Sequence, residues 1–314
     1  MKKKSKIYVA GHQGMVGSAI CRKLHEQGYD NICFATSSEV DLRDSIAVDN
    51  FFRENEPEFV FLAAARVGGI LANDRYPADF LYDNMMIQAN VIEKSFRHNV
   101  EKLLFLGSSC IYPKFAPQPI QETSLLEGYL EPTNEAYAIA KIAGIKLCQA
   151  YYEQHGCCFV SAMPTNLYGI GDTYHSDNSH VLPALIRKFH EAKEEGRDEV
   201  TIWGTGTPLR EFMFADDLGE ACIFLMQNYD KNEIINVGSG EEISILDLAQ
   251  LISDVVGFDG SLVLDGSKPD GTPRKLMDST RLRRMGYRTH TNLREGIPIA
   301  YNDFLNRVAV ATHH

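Results

Sequence analysis

The 314-residue sequence contains no apolar run long enough to cross a bilayer, no C-x-x-C pair, and a single tryptophan, Trp203. The first absence argues against a membrane-spanning protein. The lysine-rich start, Met1-Lys2-Lys3-Lys4-Ser5-Lys6, leads directly into a short apolar strand rather than a long signal core. Seven cysteines, odd in number and scattered, form neither a disulfide framework nor a zinc site. A reducing, cytoplasmic setting without a metal is expected. Cations are also scarce: 31 Lys and Arg stand against 42 Asp and Glu, a formal net charge of −11. That balance argues against nucleic acid or an anionic membrane as the main partner, but is compatible with a small anion held in a local basic pocket. His313 and His314 read as the remnant of a tag and are given no function.

What is present begins with a strand, Lys6-Ile7-Tyr8-Val9-Ala10, followed by Gly11-His12-Gln13-Gly14-Met15-Val16-Gly17 and then a helix opening at Ser18. This is the strand, turn and helix of a dinucleotide site. Gly11 permits the tight turn, Gly14 lets a pyrophosphate approach the backbone, and Gly17 allows helix and strand to pack closely. Downstream lies Tyr137-Ala138-Ile139-Ala140-Lys141. Residues four apart share a helix face, so the Lys141 ammonium is expected to favour the ionised Tyr137 phenol by proximity. A phenol with an ordinary pKa of about 10 would then exchange protons near neutrality. Y-x-x-x-K alone is a common exposed pair; the glycine loop in its proper context gives it weight.

Short apolar runs at 7–10, 32–35, 59–63, 103–106 and 159–163 alternate with amphipathic helices. The pattern predicts an α/β fold, a Rossmann-type doubly wound parallel sheet with helices on both faces. Ligands of such sheets bind beyond the strands' carboxyl ends, where Ala63 to Arg66, Gly107 to Cys110 and Pro164 to Asn166 fall. After Gly169 the rhythm changes to a polar loop, a helix at 182–195 and a strand at 200–203, which predicts a smaller C-terminal α/β substrate lobe. The runs 211–218 and 234–238 are expected to return to the main sheet before a helix at 243–256. The expected division is a dinucleotide-binding domain at 1–170 with a return at about 212–238, and a substrate lobe at 171–211 and 239–314. No low-complexity linker separates them, so the lobes should interweave.

Four longer strings narrow the reading: Ala10-Gly-His-Gln-Gly-Met-Val-Gly-Ser18, Leu106-Gly-Ser-Ser-Cys-Ile-Tyr-Pro113, Glu131-Pro-Thr-Asn-Glu-Ala-Tyr-Ala-Ile-Ala-Lys-Ile-Ala-Gly144 and Ser267-Lys-Pro-Asp-Gly-Thr-Pro-Arg-Lys275. Together they resemble the extended short-chain dehydrogenase/reductases acting on nucleotide sugars and, among these, the GDP-4-keto-6-deoxy-D-mannose 3,5-epimerase/4-reductases. The resemblance implies NADP(H) as cofactor, a GDP-sugar substrate, GDP-L-fucose as product, and a homodimer built on the helices at 78–99 and 135–155. It further implies that Tyr137 supplies the proton for C4 reduction, Ser108 binds the carbonyl oxygen, and Lys141 holds the ribose and biases the tyrosine. Cys110 is implied as the base and His180 as the acid of epimerisation.

Ser108 and Cys110 lie two residues apart at a strand end, so in extended geometry they should point to the same side. A strand-end cysteine alone reads as a small buried hydrophobe, and a lone loop histidine as a surface residue; the surrounding strings give both a catalytic reading. By the same resemblance the cofactor is held by Gly11, His12, Gln13, Gly14, Met15, Val16, Gly17, Ser37, Asp41, Leu42, Ala64, Leu106, Gly107, Ser109, Lys141, Pro164, Asn166, Leu167 and His180. Substrate contacts fall to Lys188, Trp203, Arg210, Asp270 and Lys275, the cations meeting the diphosphate.

The pattern departs from the family in three places. Gln13 replaces a loop arginine, Ser37 replaces the basic residue after the second strand, and Lys188 stands where arginine is common. Thr36-Ser37-Ser38 supplies neither a phosphate clamp nor a ribose acid, so weak discrimination between NADPH and NADH is expected. A GDP-L-colitose-type epimerase/reductase stays open as an alternative. A 4-epimerase or dehydratase would not need the Cys110/His180 pair, and a non-catalytic NADP-binding regulator would not need Ser108, Tyr137 and Lys141 together.

Overall fold

The computed structural model describes residues 1–175, 179–268 and 270–311. His313 and His314 lie outside the described residues, as do Ser176 to Asn178 of the loop after Gly169, and Pro269. The first part of the chain runs β1 (Ile7–Ala10), α1 (Met15–Glu26), β2 (Ile32–Cys33), α2 (Ser45–Asn55), β3 (Phe59–Leu62), α3 (Ile70–Arg75), α4 (Pro77–Arg97), β4 (Lys102–Leu106), α5 (Glu135–His155) and β5 (Cys158–Pro164). It continues through β6 (Asn166–Tyr168), α6 (Val181–Glu194), β7 (Glu199–Trp203), β8 (Leu209–Phe214), α7 (Ala215–Asn228), β9 (Ile235–Val237) and β10 (Glu242–Ser244). The last elements are α8 (Ile245–Val256), β11 (Ser261–Asp265), β12 (Arg274–Lys275), α9 (Thr280–Arg284) and α10 (Leu293–Ala311).

The main sheet has the order β2-β1-β3-β4-β5-β9, every pair parallel. Side chains alternate across it with period two. Ile7, Val9, Phe59, Phe61, Leu104 and Leu106 pack on one face with Ile20 and Leu24 of α1 and Leu218 and Leu225 of α7. Tyr8, Ala10, Val60, Leu62, Leu103 and Phe105 pack on the other with Val48, Phe52, Val91, Ile92 and Ile145 from α2, α4 and α5. Because both faces are covered, the strands read as unbroken apolar runs. The order reverses beside β1, which places the ligand crevice over the carboxyl ends of β1, β3 and β4.

A separate core of Leu182, Ile186, Phe189, Val200, Ile202, Phe212, Phe214, Leu248, Ile252 and Phe304 holds the smaller lobe together. Its strands form β10-β8-β12, with β6 beside β8, and a parallel pair β7-β11. Two boundaries differ from the sequence reading. Residues 209–214 do not rejoin the main sheet, because Phe212 and Phe214 are buried in the lobe core; the chain crosses back at Ala215, and α7 and β9 make the return. Later, Met277, Leu282 and Tyr287 are buried against the main-sheet cores.

Candidate active site

At the end of β1, Gly11 adopts φ +87, and a Cβ there would fall 2.7 Å from the Ala64 backbone nitrogen. Gly14 caps α1 with no side-chain cap, and the first turn carries no acidic residue. Unsatisfied N–H groups and the helix dipole therefore meet at one anion seat. The His12 ring stacks on exposed Phe34 at 4.4 Å, and its Nδ1 is buried without a hydrogen-bond partner among the described residues. An anion seat, an orphaned ring nitrogen and an exposed aromatic fit a dinucleotide. Phe34 was missed from the sequence; the available signal was a lone aromatic directly after the second strand.

Gly107 follows the end of β4, and Lys141 lies on α5. The Gly107 N–H donates to the Ala162 carbonyl at 2.9 Å, and Lys141 Nζ donates to the Leu106 carbonyl at 2.8 Å. Pro164 ends β5, and Asn166 Nδ2 donates to the Glu211 carbonyl at 2.8 Å, with Leu167 next to it on β6. Asp41 is held by Arg43 at 2.8 Å, and Leu42 lies half-buried against the sheet core.

Ser108, Cys110 and Tyr137 come together, though not as strand alternation predicts. β4 ends at Leu106, and Ser109–Ile111 forms one 3-10 turn. Ser108 remains extended and its Oγ accepts the Cys110 N–H at 3.2 Å, so a cap rather than a pleat sets the pair. Ser109, between them, is buried. Ser108 also hydrogen-bonds the Tyr137 side chain.

The expected ionisation of Tyr137 is reversed. Burial, and then the neighbouring Cys110, raise its pKa, and the Ser108 hydrogen bond opposes them only in part. Lys141 Nζ sits 5.9 Å from the Tyr137 ring centroid and 4.8 Å from that of Phe105. Burial also pushes the Lys141 ammonium down to about 7. A helix face brought Tyr137 and Lys141 together as read, but desolvation of both groups outweighs their attraction. The phenol thus keeps its proton at neutral pH, the form a proton donor needs.

His180 sits at the N-cap of α6. It keeps exposed surface, yet the protein packed around it, and then the charge of Lys275, lower its pKa. Lys275 was read as a phosphate contact, yet its Nζ lies 3.7 Å from Cys110 Sγ. It is paired across the sheet with Arg210, whose half-buried guanidinium is lowered by desolvation. Trp203 is 60 % exposed, and Lys268 lies over its ring at 5.6 Å. Asp270 accepts from the Thr205 N–H at 2.6 Å and the Thr205 hydroxyl at 2.9 Å, so it latches the turn after Trp203. Lys188 donates to the Thr201 carbonyl, which ties it to the strand leading to Trp203.

The turn after β2 departs from the sequence reading. Thr36-Ser37-Ser38 is neutral, but Glu39 folds back to accept from the Thr36 N–H at 2.7 Å and hydroxyl at 2.8 Å. An acid therefore does follow the second strand. Nearby cations are engaged: Arg43 with Asp41 and Asp83, and Arg66 with Asp79 and Asp83.

Comparison with known proteins agrees with this geometry. The NAD dependent epimerase/dehydratase family model matches residues 7–238. GDP-L-fucose synthase 1 of Arabidopsis thaliana is 58 % identical over 306 residues, covering 98 % of this chain and 95 % of that protein. The GDP-L-fucose synthase of Escherichia coli K12 is 51 % identical over 311 residues, covering 96 % and 97 %. A crystal structure of a GDP-L-fucose synthetase from Naegleria fowleri bound to NADP superposes with a TM-score of 0.91 at 30 % identity, covering 98 % and 96 %. With a dinucleotide loop, a Ser/Tyr/Lys set and near full-length likeness in agreement, the chain belongs to the NAD dependent epimerase/dehydratase family, among its GDP-L-fucose synthases.

Proposed function

We propose that this chain converts GDP-4-keto-6-deoxy-D-mannose to GDP-L-fucose by epimerisation at C3 and C5 followed by NADPH-dependent reduction at C4. The observation that carries the reading is Cys110 beside the reducing pair Ser108 and Tyr137, on a chain more than half identical to full-length GDP-L-fucose synthases. The same likeness favours the fucose product over the colitose-type alternative. When bound, the nicotinamide supplies the hydride for C4.

Ser108 holds the C4 carbonyl oxygen and Tyr137 delivers the proton that turns it into a hydroxyl. For epimerisation, Cys110 removes the proton beside that carbonyl and the electron pair moves into an enolate on the same oxygen. His180 returns a proton to the opposite side; burial, and then the charge of Lys275, lower its pKa and so favour release of that proton. Arg210 and Lys188 contact the diphosphate, with Trp203 and Asp270 shaping the sugar end. The loop from Gly11 to Gly17, with Ser37, Asp41, Leu42, Ala64, Leu106, Gly107, Ser109, Lys141, Pro164, Asn166, Leu167 and His180, holds the cofactor. The main-sheet domain thus serves the dinucleotide, and the smaller lobe the GDP-sugar.

The reading includes a cytoplasmic homodimer. Exposed Tyr82 and Met85 on α4 and Ile139 on α5 support a helix-to-helix interface, since these two helices pack side by side. Among the described residues no helix is long and apolar enough to cross a membrane.

The test is loss of NADPH absorbance with GDP-4-keto-6-deoxy-D-mannose, the product identified by NMR and Cys110→Ser run in parallel. GDP-L-fucose from wild type, with loss of C3 and C5 exchange in the variant, is the expected outcome. Reduction without inversion at either carbon would make the chain a plain 4-reductase.

A further inference from the structure

Lys275 has a geometry that phosphate binding does not explain. Its Nζ lies 3.7 Å from Cys110 Sγ, and it makes no ion pair with a carboxylate among the described residues. Its backbone is pinned on both sides. Lys275 stands opposite Arg210 in the β8–β12 register, the Leu276 N–H donates to Gln118 Oε1 at 2.9 Å, and the Met277 N–H donates to Glu211 Oε2 at 3.0 Å. The ammonium is therefore aimed at the thiol by a short strand rather than carried there on a loose loop.

The groups beside Cys110 come from three places. Ser108 caps the turn that carries it, the Tyr137 phenol comes from α5 with Lys141 one turn further on, and Lys275 belongs to β12 and acts electrostatically in turn on His180 at the head of α6. Of these cations, Lys141 spends its ammonium on the Leu106 carbonyl, leaving Lys275 as the one in contact with sulfur among the described residues. Only the thiolate is an effective base, and a cation at this range favours the thiolate.

We propose that Lys275 is a positioning residue for epimerisation: its ammonium holds Cys110 as a thiolate facing the substrate and takes no part in hydride delivery. The inference rests on the proposed role of Cys110. The thiolate sulfur takes a proton from C3 or C5 and becomes a thiol, and the C–H electron pair passes into the enolate. His180 then protonates that carbon from the other side, and proton exchange with solvent resets both groups. Lys275 transfers no proton, and no oxidant or reductant enters.

The experiment follows iodoacetamide alkylation of full-length protein against pH in wild type, Lys275→Met, Lys275→Gln and Lys275→Arg, with Cys110→Ser subtracting the other cysteines. C3 and C5 deuterium incorporation from heavy water and NADPH oxidation are measured on the same preparations over GDP-4-keto-6-deoxy-D-mannose concentrations rising to saturation. In Lys275→Met and Lys275→Gln the alkylation midpoint of Cys110 should move up by about one pH unit. Exchange should fall about tenfold, and Lys275→Arg should restore most of both. An unchanged alkylation midpoint in both neutral variants overturns the inference. So does a defect confined to KM for the GDP-sugar, which returns Lys275 to phosphate binding alone. A shifted midpoint with no exchange by wild type overturns the proposed epimerase function, and with it the catalytic use of the coupling.

Discussion

Gly17 packs so closely beneath Gly11 that a Cβ on it would lie 2.0 Å from the Gly11 carbonyl oxygen. At Gly14 the same atom would stand 3.5 Å from that oxygen, an ordinary contact. The two glycines therefore separate experimentally. Gly17→Ala should lower stability by about 1–3 kcal/mol, the cost of overpacking, and weaken NADPH binding with it. Gly14→Ala should leave the urea midpoint almost unchanged yet still weaken NADPH binding by crowding the phosphates. Equal loss of stability in both variants would contradict this division.

Tyr137→Phe removes the proposed proton donor but leaves Cys110 and Ser108 in place. Reduction at C4 should fall by about two to four orders of magnitude, while deuterium exchange at C3 and C5 continues. A variant that lost exchange to the same degree would make the tyrosine a structural member of the site rather than its acid.

Lys141 carries a pH signature of its own. Its folded-state pKa is lowered by burial to about 7 from the ordinary lysine value of 10.5. Between those values the unfolded chain binds a proton that the folded chain releases, so the contribution of this group to stability rises with pH across that window and is lost as pH falls through it. The slope from this one group approaches about 1.4 kcal/mol per pH unit where the proton difference is complete. Urea unfolding of the ligand-free protein should show that rise between neutral and alkaline pH, and Lys141→Met should flatten it.

Cofactor choice can be tested at Ser37, which is exposed on the turn closed by Glu39. Since Arg43 and Arg66 are already paired with carboxylates, an added cation meets an open position. Ser37→Arg should tighten NADPH binding about tenfold through a charge-assisted hydrogen bond, with little effect on NADH. Calorimetric titration of both nucleotides reads this directly; equal tightening of the two would place the 2′-phosphate elsewhere.

Much of the fold was legible in the chain. The runs 7–10, 59–63, 103–106 and 159–163 are buried strands of one parallel sheet, shifted by no more than a residue at either end. Strand two was overread by two residues, since β2 stops at Cys33 and Phe34 turns outward to meet His12. The strand at 209–214 was legible as a strand but not as a member of a particular sheet. Apolar periodicity says that Phe212 and Phe214 are buried, and not against which core.

The sequence by itself determined the dinucleotide loop, the Tyr137/Lys141 helix face and the company of Ser108 with Cys110, because each depends on residues close along the chain, although a capped 3-10 turn rather than strand spacing sets the geometry of the last pair. Only the tertiary structure decided which groups carry charge there. Burial of Tyr137 and Lys141 overrides their mutual attraction, and β12 brings Lys275 to Cys110 across a sequence separation of 165. Desolvation and long-range approach are properties of the packed chain, and no local pattern encodes either.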